Sequence, residues 1–110
     1  MNLLTFLKDH VPCYIYNGEQ IISQCQKLKT ELPNFEFLYS IKTNPFSPIV
    51  QNISKEGFGA DAASAGEVLL SLENGIAPEK IFYSAPGKTK EDIEICYGKC
   101  TIIADSISEI

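Results

Sequence analysis

The chain has 110 residues and a formal net charge of −5, with 45% hydrophobic and 21% charged residues. This length limits it to one small domain, and the composition is that of an ordinary globular segment. Its acidic charge and scattered basic residues argue against nucleic-acid binding, which requires clustered lysine and arginine. No apolar run approaches the roughly 18 residues of a membrane span, and residues 1–8 lack a signal-peptide pattern, so a cytoplasmic location away from membranes is expected.

Five short apolar runs predict β-strands. From the second run onward they begin at intervals of roughly 20 residues, and amphipathic helical patterns lie between them. This alternation is typical of a parallel α/β protein. The predicted strands are residues 13–16, 35–41, 58–63, 81–85 and 101–104.

Each helical pattern has a start signal and a stop signal. Asn, Ser and Thr cap helix starts, whereas proline and glycine end helices. Two of the starts, at Ser64 and Thr89, have an acidic residue three positions later, as in a capping box. The expected start and stop residues are, in chain order, Asn17 and Pro33, Ser47 and Gly57, Ser64 and Gly75, and Thr89 and Gly98.

Two architectures are compatible with this pattern. One is a small doubly wound sheet that is complete at this length, and the other is part of a (β/α)8 barrel, which needs about 250 residues. The last residues, 104–110, have the pattern of a strand followed by a helix start, with Ser106 and Glu109 at capping-box spacing. This ending favours a truncated barrel.

The four cysteines do not form a metal-binding pattern. Cys13 and Cys25 belong to different predicted elements, and Cys96 and Cys100 are four positions apart instead of the three typical of zinc ligands. The sequence therefore predicts no metal site and reduced, mostly buried thiols.

Lys42 follows the aromatic-rich run 35–41, at the carboxyl end of a predicted buried strand. A lysine that loses hydration there is disfavoured in its charged form, which frees the amine to attack a carbonyl such as the aldehyde of pyridoxal phosphate. The same position also suits a lysine that reaches solvent and has no chemical role. This segment alone leaves both interpretations open.

Asp61 lies within an otherwise apolar run, where a carboxylate requires a partner or hydrogen-bond donors. Lys42, at the end of the neighbouring predicted strand, is one candidate partner, and a cofactor at the mouth of a barrel is another. Glu67 is explained by the capping box that Ser64 begins.

Two glycine-containing segments partly match nucleotide-binding motifs, but neither match is complete. Segment 85–89, A-P-G-K-T, would need a glycine at position 82 to be a P-loop, but Phe82 stands there. Segment 57–62 matches a loose G-x-G-x-x-A, yet it follows a helix and opens a strand, the reverse of a dinucleotide-binding fold. Neither nucleotide class is expected.

Five segments, in order, resemble the amino-terminal part of the fold-type III pyridoxal-phosphate decarboxylases, which include the diaminopimelate, ornithine and arginine decarboxylases. Each segment is weak alone, but five in order at the right spacing are specific. They are PCYIY (12–16), like TP-x-YVYD; YSIKTN (39–44), like Y-A-V-K-A-N; GFGADAASAGE (57–67), like G-x-G-x-D-V-A-S-x-G-E; residues 78–89, like P-E-x-I…x-P-x-K; and residues 104–109, like D-S-x-x-E-L.

The resemblance implies parallel (β/α) repeats that form the first half of an alanine-racemase-like TIM barrel. Residues 1–17 would be an N-terminal extension with a short strand, and residues 18–110 a truncated barrel. The parent protein would be a homodimeric carboxy-lyase of amino-acid metabolism that acts on a basic or diamino amino acid. Because the family's other site residues lie further along the chain, these 110 residues alone are expected to be inactive.

The resemblance also implies pyridoxal 5'-phosphate as cofactor and assigns roles to four residues. Lys42 would form the internal aldimine, and Asp61 would lie close to the cofactor and hold the lysine region. Ser40, where the family commonly has alanine, would lie against the ring, and Glu67 would join the nearby polar network. Two alternatives are an amino-acid racemase of the same fold, which lacks the D-x-A-S-x-G-E pattern, and a non-catalytic binding or regulatory relative, which usually lacks the lysine.

Overall fold

Four parallel strands form one sheet in the computed structural model, which describes residues 2–110. The strands lie side by side in the order in which they occur along the chain. A doubly wound sheet reverses its strand order, whereas a barrel does not, so this order agrees with the barrel. The strands are β1 (Leu38–Ser40), β2 (Gly59–Ala62), β3 (Ile81–Tyr83) and β4 (Thr101–Ile102).

A helix follows each of the first three strands, which confirms the predicted (β/α) repeats. Three 3₁₀ turns, Ile41–Thr43, Pro78–Lys80 and Ile107–Glu109, lie between these elements or after β4. Every helix in the part of the chain that the structure describes is too short or too polar to cross a bilayer. The helices are α1 (Leu3–His10), α2 (Gly18–Glu31), α3 (Ser47–Lys55), α4 (Ala65–Glu73) and α5 (Lys90–Cys96).

The helix starts follow the predicted caps with one exception. Asn17 accepts hydrogen bonds from the first turn of α2, Ser64 accepts one from the backbone of α4, and Thr89 forms a complete capping box with α5. Ser47 is not a cap, because it is already the first helical residue of α3 and Phe46 precedes it. Gly57 and Gly75, with φ of 85° and 90°, stand after α3 and α4 as predicted.

The strand predictions were too long, and one was wrong. Residues 13–16 form neither strand nor helix in the structure, because none of the four strands pairs with them. Helix α1, which precedes them, was not predicted. Pairing also limits β1, which begins at Leu38 instead of residue 35, since only residues 38–40 have partners on β2.

The core lies between the helices and one face of the sheet. Small, branched and aromatic side chains of β2 and β3 are buried there against one residue each from α3, α4 and α5. A second, smaller cluster joins α2 to α3. The sheet residues of the main core are Ala60, Ala62, Ile81 and Tyr83, and the helical ones are Val50, Val68 and Cys96.

Gly59 occupies a position in β2 where a side chain would force its neighbours to move. A Cβ there would overlap the carbonyl oxygen of Lys80 and would lie 2.7 Å from Cδ2 of Leu38. By contrast, a Cβ on Gly66 in α4 would have Oγ of Ser64 as its nearest neighbour, at 3.8 Å. The start of β2 therefore depends on the absence of a side chain at Gly59.

We predict that Gly59→Ala lowers the free energy of unfolding by about 1–3 kcal/mol, because β2 must move away from the Lys80 carbonyl group and the Leu38 side chain. Gly66→Ala, the matched control, should raise it by about 0.5–1 kcal/mol through lower unfolded-state entropy and better helix propensity. Urea unfolding followed by circular dichroism measures both. Equal effects of the two substitutions would refute the steric explanation.

Candidate functional site

Lys42 lies in the 3₁₀ turn that directly follows β1. Its predecessor, Ile41, is 0% exposed and belongs to the main core, whereas Lys42 itself is exposed. Of the two environments that the segment left open, the structure has the solvent-exposed one, since the turn directs Ile41 toward the helices and leaves Lys42 at the surface. The amine is accessible from solvent at the carboxyl end of the strand.

The sheet has a second face that the helices do not cover, and we call it the open face. Ser40 is in register with Asp61, Asp61 with Phe82, and Phe82 with Thr101. Residues in register across a parallel sheet direct their side chains to the same side, opposite to that of their buried neighbours. The open face therefore has a hydroxyl and a carboxylate next to each other and an aromatic ring beside them.

The structure does not pair Asp61 with Lys42. The ion pairs found within residues 2–110 are Lys29–Glu56, Lys88–Glu109 and Lys90–Glu94. Asp61 is half-buried, so water can hydrate its carboxylate without a protein partner. The sequence-based suggestion of a Lys42–Asp61 ion pair is thus wrong, although Lys42 follows the end of β1 and Asp61 lies in the neighbouring strand β2.

Glu67 stabilises the loop after β2. Its carboxylate accepts a hydrogen bond from the backbone N–H of Ala63 at 2.7 Å, and its own N–H donates to Oγ of Ser64 at 3.1 Å. Its carbonyl oxygen accepts from the Ser71 hydroxyl at 2.7 Å. Ser64 is therefore confirmed as a cap, but the predicted capping box is incomplete, because the Glu67 carboxylate binds the N–H of Ala63 instead of that of Ser64. Through this bond Glu67 fastens the carboxyl end of β2 to the start of α4.

Sequence reasoning gave no site role to two residues, Phe82 and Asn44. Phe82 was considered only as the residue that breaks a P-loop pattern, yet it shares the open face with Asp61. Asn44 belongs to the quoted segment 39–44 but received no role, and in the structure it has hydrogen bonds to Tyr16 and Tyr39. Period-two alternation could have placed Phe82 on this face, whereas no local signal connects Asn44 to Tyr16.

Lys88, unlike Lys42, is buried and hydrogen-bonded. Its side chain is 0% exposed, and Nζ donates to the Glu109 carboxylate at 2.9 Å and to the Ala85 carbonyl at 2.7 Å. Nζ also lies 5.6 Å from the centre of the Tyr83 ring. An amine engaged in this way joins the loop after β3 to the turn after β4 and is not free as a nucleophile.

Glu109 does not complete the capping box predicted with Ser106. Its carboxylate accepts instead from the Asp105 N–H at 2.9 Å, and the Ser106 hydroxyl contacts that of Ser108. The hydrogen bond from Asp105 and the bond from Lys88 lower the pKa of Glu109 below its usual value. A carboxylate of this kind stabilises the fold above its unfolded-state pKa, and the stabilisation is lost as the pH falls through the folded-state pKa.

We predict that the wild-type chain loses stability as the pH falls below about 5 and that Glu109→Gln flattens this dependence. At pH 7 the variant should melt at a lower temperature, because Lys88 then stays buried without its partner. Melting temperatures between about pH 3 and pH 7 measure the effect. Glu94→Gln is the control, since its pair with Lys90 is exposed, and an identical pH profile for the two variants would contradict the assignment.

The thiols divide into one exposed group and three in or beside the core. Cys25 and Cys96 are buried, and Cys100 is half-buried beside Cys96. Burial, together with Cys96, raises the pKa of Cys100 to about 11. Cys13 is exposed, so the prediction of mostly buried thiols does not hold for it. Because its pKa is raised, Cys100 is a poor nucleophile at neutral pH.

Comparison with known proteins identifies close similarity across the chain. Residues 18–110 match the family model described as "Pyridoxal-dependent decarboxylase, pyridoxal binding domain". Diaminopimelate decarboxylase of Zymomonas mobilis is 34% identical over 108 residues, an alignment that covers 90% of this chain and 25% of that protein. L-glutamyl-(BtrI acyl-carrier protein) decarboxylase of Niallia circulans is 33% identical over 102 residues, covering 90% of this chain and 24% of that protein.

A solved structure agrees with these sequence matches. Diaminopimelate decarboxylase from Helicobacter pylori, complexed with L-lysine, superposes with a TM-score of 0.83 at 26% identity. The superposition covers 98% of this chain and 29% of that one. The chain spans about a quarter of the length of the curated relatives it matches.

Proposed function

Because this chain belongs to the pyridoxal-dependent decarboxylase family, whose pyridoxal-binding domain its residues 18–110 match, we propose that it forms the cofactor-attaching part of an amino-acid decarboxylase. Lys42 is the residue that we propose binds the cofactor's aldehyde. The observation that carries this proposal is an accessible amine directly after β1, next to the open face. A protein of this family would release carbon dioxide from an amino acid.

The donor groups present fit pyridoxal 5'-phosphate. An aldehyde requires a primary amine that can reach it, and Lys42 is exposed. A flat, polar ring requires hydrogen-bonding groups and a surface to lie against, and the open face offers Ser40, Asp61 and Phe82 in register. When bound, the cofactor supplies an electron sink for the electron pair left by the departing carboxylate group.

Each residue has a distinct proposed role. Lys42 must lose a proton from Nζ before it can attack a carbonyl carbon. Asp61 places a negative charge on the same face, which attracts cationic groups of the cofactor or of an amino-acid substrate. Ser40, adjacent to Asp61, offers a hydroxyl that can donate or accept a hydrogen bond. Glu67 keeps the loop after Asp61 in place through its bond to Ala63.

For the substrate, we propose a basic or diamino amino acid. The support is the name of the Zymomonas relative, diaminopimelate decarboxylase, and the L-lysine in the Helicobacter complex. The Niallia relative is named for a glutamyl group on a carrier protein, so an assay with both substrate classes decides between them. The homodimer, the cytoplasmic location and the division at residue 17 stay predictions from the sequence.

The two alternative functions receive less support. An amino-acid racemase shares the fold and a strand-end lysine, but the matching family model describes decarboxylases. A non-catalytic relative would not need an accessible lysine at this position, and Lys42 is exposed. The decarboxylase proposal is therefore the one we carry forward.

We predict that pyridoxal phosphate attaches selectively to Lys42. After incubation, reduction with borohydride and digestion, mass spectrometry should find at least about tenfold more label at Lys42 than at the exposed Lys90, since only Lys42 has a carboxylate and a hydroxyl on a sheet face beside it. Lys42→Arg should abolish the selective label, and Lys90→Arg should leave it unchanged. Equal labelling of both lysines, in this chain and in the longest protein that contains it, would show that the assignment to Lys42 is wrong.

A further inference from the structure

The turn that carries Lys42 is fixed at both ends. On one side, Ile41 is fully buried among core residues of the sheet and helices. On the other side, Asn44 is half-buried and hydrogen-bonded. Only Lys42 and Thr43 lie exposed between these two points. A stretch this short has few accessible backbone conformations, so the direction of the lysine depends on its two neighbours.

Asn44 uses its backbone carbonyl and both ends of its side-chain amide. The carbonyl oxygen accepts from the Tyr39 hydroxyl at 2.9 Å, and Oδ1 accepts from the Phe46 backbone N–H at 3.1 Å. Nδ2 donates to the Tyr16 hydroxyl oxygen at 2.9 Å. Because a backbone N–H can only donate, the amide oxygen must face Phe46, and the amide nitrogen must then face Tyr16.

The two tyrosines reach Asn44 from different parts of the chain. Tyr39 belongs to β1, three residues before Lys42, and burial together with the nearby Tyr16 raises the pKa of its hydroxyl. Its hydroxyl therefore stays protonated at neutral pH and can donate. Tyr16 lies in segment 11–17 between α1 and α2, and its ring centre is 6.0 Å from that of Phe46. The N-terminal segment is thus fastened to the residues that directly follow the turn with Lys42.

We propose that Asn44, Tyr16 and Tyr39 form a clamp that positions Lys42 for attachment to the cofactor. This inference rests on the proposed function of Lys42 and adds three positioning residues to it. Tyr16 is the most informative of the three, because it lies outside residues 18–110, which the family model matches. The N-terminal segment would then contribute to the site through a single hydroxyl group.

Substitutions that remove individual hydrogen bonds test the clamp. Tyr16→Phe removes the hydroxyl that Asn44 binds and keeps the ring against Phe46. Tyr14→Phe is the matched control, because Tyr14 lies on the same segment, is 89% exposed and forms no side-chain hydrogen bond within residues 2–110. Asn44→Ala removes both side-chain bonds, and Asn44→Asp is the conservative variant. The Asn44→Asp variant keeps the oxygen that accepts from the Phe46 N–H, and the Tyr16 hydroxyl can turn to donate to the second carboxylate oxygen.

The measurement is the rate of covalent attachment of pyridoxal phosphate at Lys42, followed by absorbance and verified by borohydride reduction and mass spectrometry. Tyr16→Phe should slow attachment about two- to tenfold, the effect of one lost hydrogen bond, and Asn44→Ala should slow it further. Asn44→Asp should recover most of the rate, and Tyr14→Phe should match the wild type. Induced circular dichroism per attached cofactor should fall in the slow variants, because a less fixed lysine holds the chromophore in more orientations.

All variants are compared at a temperature at which far-ultraviolet circular dichroism shows them fully folded. If Tyr16→Phe and Asn44→Ala lower only the melting temperature, while rate and induced dichroism equal those of the wild type, the clamp is merely structural and the inference is wrong. If the wild type shows no selective attachment at Lys42, in this chain and in the longest protein that contains it, the proposed function fails, and the clamp's role in attachment fails with it. The two failures are thereby distinguished.

Discussion

The parallel register of the sheet is the constraint on which the site depends. Because side chains alternate along a strand, burial of Ala60, Ala62 and Ile81 under the helices directs Ser40 and Asp61 to the opposite face. Shifting β2 by one residue against its neighbours would bury the Asp61 carboxylate under the helices at a large desolvation cost. The apolar core therefore fixes the polar face without any direct contact between the two.

Burial of a core residue also determines the environment of Lys42, beyond the end of β1. Ile41 continues into the main core, and this leaves Lys42 exposed beyond the strand end. Lys88 shows what another environment does to the same residue type, since burial and pairing with Glu109 make it a structural link between two loops. Two lysines of one small chain thus differ in accessibility and hydrogen bonding, and these properties separate a candidate nucleophile from a structural cation.

Much of the candidate site could be predicted from the sequence, because its residues fall in segments that resemble the family in order and spacing. Lys42, Ser40 and Asp61 come from two such segments, and the structure places the latter two side by side. The segment alone left open whether Lys42 is buried or exposed, since an apolar run gives no sign of where pairing ends. The contact of Asn44 with Tyr16 joins residues 28 positions apart and has no local signature.

Local sequence signals determined the helix starts at Asn17, Ser64 and Thr89, because a cap and its partners lie within three residues of each other. They likewise determined the alternation of strands and helices, which follows from hydrophobic periodicity. Only the tertiary structure decided where the strands end and which side of the sheet is open. A strand ends where its hydrogen-bonding partners on the next strand end, and those partners are some twenty residues away in the chain. The open side of the sheet is the one that the helices leave uncovered. Neither can be determined from residues that are close in sequence.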